Sequence, residues 1–200
     1  MKNLTKIIII IFFSKFSFAQ TLLLPINIED YDPTNAIADA YYKDINNIFD
    51  PFMGTWKYTS PDGQTAFTIV LTKREMLYTG LFYTDYVIGE YNYHNNNIDV
   101  NTLSNTSIND VGIEGRNIIN SHNRPYCFDC SSGEKRLGLM IGDTLRHLYG
   151  TFTLRLITVN GLLAIEGLIY GEGVPAYEAN NPPPYFEMRI PTGTFVFIKQ

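Results

Sequence analysis

The sequence predicts an all-β protein, an antiparallel up-and-down barrel of about eight to ten strands with a short helix or turn segment at its N-terminal end. Three observations predict it. Apolar residues recur with a period of two in several segments, and tight-turn sequences separate those segments. The composition is that of a β-rich core, with 14% aromatic and only 18% charged residues among 200. Collagen-like, coiled-coil and disordered chains are excluded, because Gly shows no period and aromatic and β-branched residues abound. A chain of this length makes one domain that buries about 70% of its extended surface, so its core does not depend on disulfides.

The first nineteen residues read as a secretory leader. Lys2 and Lys6 give a positive start, Ile7 to Phe13 is an unbroken apolar run, and Ser17-Phe18-Ala19 puts small residues where a signal peptidase cuts, after Ala19. Seven apolar residues are too few to span a hydrocarbon core, which needs about twenty. No cysteine stands at the cut to accept a lipid. Lys2, Lys6 and Lys15 leave with the leader, so the mature chain carries twelve basic against twenty acidic side chains, a net charge near −8. That balance argues against nucleic acid as a partner, since phosphate binding needs clustered Lys and Arg. The expectation is an exported protein, periplasmic or secreted, with no membrane span once the leader is gone.

Residues 20–52 form an N-terminal extension, and 53–200 the barrel. In the extension Ile37, Tyr41, Ile45, Ile48 and Phe49 are spaced as one face of a helix, with Asp32 as its cap and Pro33 at its first position. Such a helix would plug one end of the β structure. Beyond it Phe67, Ile69 and Leu71 alternate with polar residues, as do Val87, Gly89, Tyr91 and Tyr93, then Phe152, Leu154 and Leu156, then Phe195 and Phe197. Ser60-Pro61-Asp62-Gly63, Asn95-Asn96-Asn97 and Asn160-Gly161 read as the turns between strands. Gly171 to Pro184, with three consecutive prolines, reads as a stiff exposed connection.

Gly54-Thr55-Trp56 at the start of the first long strand resembles the Gly-x-Trp signature of lipocalins and other calycin-like barrels. The resemblance implies a tryptophan packed across the closed barrel end with a basic residue from a late strand over its indole. Arg189 and Lys199 are the two residues placed to do this. The stretch Tyr42 to Phe52 running into Gly54-Thr55-Trp56, behind a secretory leader, is also similar to an uncharacterised family of small exported bacterial proteins, a domain of unknown function. That resemblance implies export and a β-rich fold, and no activity.

Cys127-Phe128-Asp129-Cys130 is the most specific chemical feature. In an exported chain the favoured reading is a disulfide across a tight turn. A redox pair would want a helix N-terminus and cationic neighbours, but Asp129 sits between the thiols. Zinc binding would need His122 and a fourth ligand such as His94 or His147. Three histidines without a nucleophile motif favour no catalytic residue, and no metal or cofactor is expected. Glu166 interrupts an otherwise apolar strand. It is either a solvent-facing glutamate or one paired with an Arg, or else a carboxylate inside an apolar cavity with a raised pKa, depending on which face is internal.

Tyr78, Phe82, Tyr91 and Tyr93 fall on consistent strand faces and, with Glu166, make the candidate ligand-lining set. The resulting expectation is a non-enzymatic exported barrel that binds a small hydrophobic or amphipathic ligand in its interior. The alternative is an accessory or interaction module of the cell envelope with a filled core. Interior binding requires an enclosed space of about 300 Å³ or more, and an axis filled by Trp56, Phe67 and their neighbours removes it.

Overall fold

A computed structural model of the chain describes residues 21–26, 36–103, 112–119, 129–173 and 183–200. The leader, Asp32 and Pro33, His122, Cys127 and residues 174–182 of the Pro-rich connection lie outside the described residues. In chain order the strands are β1 (Leu23–Pro25), β2 (Tyr41–Lys43), β3 (Gly54–Thr59), β4 (Thr65–Tyr78), β5 (Tyr83–Asn95), β6 (Ile98–Asn101), β7 (Ile113–Ile119), β8 (Arg136–Asp143), β9 (Leu148–Val159), β10 (Leu162–Gly173) and β11 (Gly193–Lys199).

Eight of them, β3–β5 and β7–β11, close into an antiparallel barrel. Each pairs with its neighbour in sequence, β11 returns to β3, and β6 is a hairpin arm on β5. The turns expected from sequence join them. Asn160 and Gly161, at φ 51° and 79°, both occupy the left-handed region that a two-residue hairpin with matching twist demands. Gly63 N–H closes the β3–β4 turn on the Ser60 carbonyl at 2.9 Å.

Two ladders in the barrel are much shorter than the rest. Strands β4 and β5 stay in register from Thr65–Asn95 to Tyr78–Tyr83 with one irregularity. By contrast β5 meets β7 only at Val87–Gly115, Ile88–Glu114 and Gly89–Ile113, and β11 meets β3 only at Ile198–Lys57 and Lys199–Trp56.

The N-terminal extension is where the structure departs from the sequence reading. Tyr41 lies in β2, which runs parallel to β1 on one side and to β5 on the other, and Ile45 is half exposed. Asn47 adopts φ 51°, which a continuous helix cannot contain. The described helical segment here is a single 3-10 turn, Asp50–Phe52, with Pro51 in its first turn. The plugging role survives in this smaller element, since Phe49 and Phe52 are both buried against the barrel end.

Alternation puts one face of every barrel strand inward. Register aligns Trp56 with Ile69 and Tyr91, Phe67 with Tyr93, Leu139 with Phe152, and Ile165 with Phe197. Phe67 is the hub: its ring meets those of Tyr91, Tyr93, Phe195 and Phe197 edge to face, at centroid separations of 5.2–5.9 Å. Each such pair adds about 0.5–1.5 kcal/mol beyond the area it buries. Gly167 supplies the space, for a Cβ there would lie 2.6 Å from the Phe152 ring.

Candidate functional site on the outer wall

The barrel axis is occupied by the protein's own rings. Trp56, Phe67, Tyr91, Phe152 and Phe197 are each 0% exposed. Trp56 donates its indole N–H to the Phe52 carbonyl at 2.8 Å, and the Lys199 ammonium lies 5.0 Å from the ring centroid. The basic residue over the tryptophan is therefore Lys199. Arg189 sits at the opposite end of the barrel, gripping Asp143 through Nη2 at 2.6 Å, Nε at 2.9 Å and its backbone N–H at 3.0 Å.

The five candidate lining residues do not converge. Tyr91 and Tyr93 are core residues. Tyr78 is half exposed at the β4–β5 hairpin, its ring tilted against that of Tyr83, and Phe82 packs against Tyr42 and the Arg116 guanidinium. Glu166 faces outward and pairs with Arg155 at 2.7 Å, because the inward positions of β10 are Ile165, Gly167 and Ile169. The histidines are also apart: His94 is exposed at the end of β5 and His147 forms the β8–β9 turn with φ 54°. Among the described residues no group of His, Cys, Asp or Glu could hold a metal ion. No described helix is long and apolar enough to cross a membrane.

Sequence reasoning did not foresee three buried carboxylates, and all are structural. Asp85 is fully buried and accepts from the Tyr41 hydroxyl, the Asp44 N–H and the Met76 N–H, which ties the N-terminal extension to β5. Asp44 in turn accepts from the Ile48 and Phe49 N–H groups and pairs with Lys73, which fixes the 3-10 plug. At the other end Asp143 is fully buried. Burial works to raise its pKa, but the Arg189 hydrogen bonds and charge outweigh that and hold it below the usual carboxylate range. Burial also pushes the Tyr91 hydroxyl, which donates to the Gly142 carbonyl at 2.6 Å, well above the ordinary tyrosine value.

Two of the clefts among the described residues lie outside the core. One, of about 460 Å³, sits beside the plug between Asn46, Pro51 and the Gly133–Lys135 turn. Its carboxylate, Glu134, is already bound by Arg136 at 2.7 Å and by the Ser131 N–H at 2.9 Å. The other, of about 370 Å³, lies on the outer wall across β5, β7, β8 and β9, where Tyr86, Glu114, Asn117, Met140, Tyr149 and Thr151 stand around a floor of Gly115, Gly138 and Gly150.

A bulge builds this second groove. Strand β7 slips register against β8 between Glu114 and Asn117, so that Glu114 pairs with Met140 and Asn117 with Gly138, both outward positions. Residues three apart thus share one face, which strict alternation forbids. Gly115 makes the slip at φ 154°. Across the floor, Gly142 pairs with Tyr149, and a Cβ at 142 would lie 2.7 Å from the phenol ring. The Cδ1–Cε1 edge of the Tyr149 ring therefore packs on Gly142, leaving 43% of the residue exposed. Facing it, the Tyr86 hydroxyl is held above its usual pKa by burial first and by the Glu114 charge second. The signal for this groove in the sequence was the broken alternation of Ile113-Glu114-Gly115-Arg116-Asn117.

A closed eight-stranded up-and-down barrel with a Gly-x-Trp first strand, its tryptophan sealed under a lysine at one end, is a calycin-like architecture. The family model of a family of unknown function, DUF6705, matches residues 1–200, and the chain belongs to that family. No curated protein and no solved structure matches it.

Proposed function

We propose that the protein is an exported, non-enzymatic recognition module that acts from its outer surface and carries no ligand inside its barrel. The observation behind this reading is the filled axis: Trp56, Phe67, Tyr91, Phe152 and Phe197 occupy the space in which a lipocalin-like carrier would hold its cargo. The leader-like first nineteen residues and the acidic mature chain support export. An oxidising compartment fits a Cys127–Cys130 cross-link, and thiol titration under non-reducing, denaturing conditions tests it: two free thiols overturn the cross-link.

Native mass spectrometry of the mature protein from its own host tests the main reading. An unadorned mass, together with a reproducible surface partner in pull-down, supports it. A small apolar molecule that co-purifies and leaves only on unfolding overturns it in favour of an interior carrier.

A further inference from the structure

Given that surface-acting reading, we propose that the outer-wall groove over β7–β9 is a binding site for a neutral saccharide, with the Tyr149 ring as the platform for the sugar and Glu114, Asn117 and Thr151 as partners for its hydroxyls. A sugar ring has an apolar C–H face and a rim of hydroxyl groups that both donate and accept. The groove presents the complement. Tyr149 is exposed and one edge of its ring packs on Gly142, so an apolar ring surface is offered by a side chain already held on one side. Gly115, Gly138 and Gly150 line its floor, with the Ile119 side chain packed over Gly138 as further apolar surface.

Among the described residues, none of the polar side chains of Tyr86, Glu114, Asn117, Tyr149 and Thr151 has a hydrogen-bond partner in the protein. These are convergent, unengaged groups, whereas Asp44, Asp85, Asp143 and Glu134 are all occupied. A cleft of about 370 Å³ is at the small end of ligand sites, which suits about one or two sugar rings. Among the described residues Glu114 is the one charged side chain lining it, so an anionic ligand would be repelled. An alkylammonium ligand could use Glu114 and the phenol faces, but a quaternary one has no use for the Asn117 amide or the Thr151 hydroxyl. A hydroxyl-rich neutral ring uses all of them.

The test is a titration of the isotope-labelled mature chain with maltose, cellobiose and diacetylchitobiose, and separately with choline, followed by backbone amide shifts. Saturable shifts at Gly115, Gly138 and Gly150 with at least one disaccharide and none with choline are expected. Tyr149→Ala should weaken that binding about tenfold or more, as loss of an aromatic anchor does. Thr151→Val should weaken it less, and Glu114→Gln should retain part of it, because an amide still bonds hydroxyls. Tyr78→Ala, an exposed tyrosine elsewhere, should change nothing. Unchanged near-UV circular dichroism shows that each variant is folded. No saturable shift with any of the three sugars overturns the proposal, and so does binding of choline that Glu114→Gln abolishes. Failure of the surface-acting reading would look different, as an adduct whose removal shifts the amides of Tyr91, Phe152 and Phe197.

Discussion

Replacing Asp143 by Asn keeps the size of a fully buried side chain and deletes its charge, leaving the Arg189 guanidinium facing an amide. Three donors of Arg189 converge on the carboxylate at 2.6–3.0 Å. Removing one partner of a buried ion pair costs about 3–5 kcal/mol, because the other charge is left uncompensated. Arg189 keeps 21% of its side-chain surface in water and the Asn oxygen can still accept a bond, so a loss of about 2–3 kcal/mol is expected. In a domain of this size that lowers Tm by about 4–12 °C, which thermal unfolding followed by circular dichroism resolves.

The same pair predicts a pH dependence. The folded pKa of Asp143 lies below the unfolded value of about 3.9, so its contribution is complete above that value and is lost as pH falls through the folded pKa. The gap between wild type and Asp143→Asn should therefore be constant through neutral pH and close below about pH 4. A gap under about 1 kcal/mol at neutral pH, or one that widens in acid, refutes the reasoning.

Phe67→Ala empties the hub of the ring cluster and should cost about 3–5 kcal/mol in urea unfolding, with loss of near-UV dichroism. Lys199→Met keeps the aliphatic cover but removes the cation over the single tryptophan. The loss should be about 0.5–2 kcal/mol, with a change in Trp56 fluorescence as the direct readout. Arg155→Ala breaks the outward pair with Glu166 and should cost less than about 1 kcal/mol, since both side chains are partly in water. A larger loss would mean that Glu166 has a role beyond this pair.

The barrel was legible because half-buried antiparallel strands write their inward face into the sequence at every second residue. The inward sets Phe67–Ile69–Leu71, Val87–Gly89–Tyr91–Tyr93 and Phe152–Leu154–Leu156 read from sequence are the ones that line the axis. The N-terminal extension was not legible, because Tyr41, Ile45 and Phe49 have helical spacing while Asn47 turns left-handed and Asp85, distant in sequence, supplies the hydrogen bonds that pin β2. The Asp143–Arg189 pair spans 46 residues, and no local pattern announces such a meeting. The groove eluded the period-two reading for a related reason: the bulge after Glu114 shifts the phase of β7, so Asn117 falls on a face that alternation assigns to its neighbours.

The two short ladders give the barrel a mechanical character that its closed outline conceals. It is two curved panels, β3–β5 and β7–β11, clasped along two slits rather than one continuous staved wall. One clasp lies beside Trp56 and Lys199 at the plugged end, where the indole and the lysine back it from within. The other joins Val87–Gly89 to Ile113–Gly115, directly beneath the rim that Tyr86 and Glu114 form. Amide exchange should therefore run fastest along these clasps, and whatever fills the outer groove would act as a stitch across the second, slowing the parting of the panels as it binds.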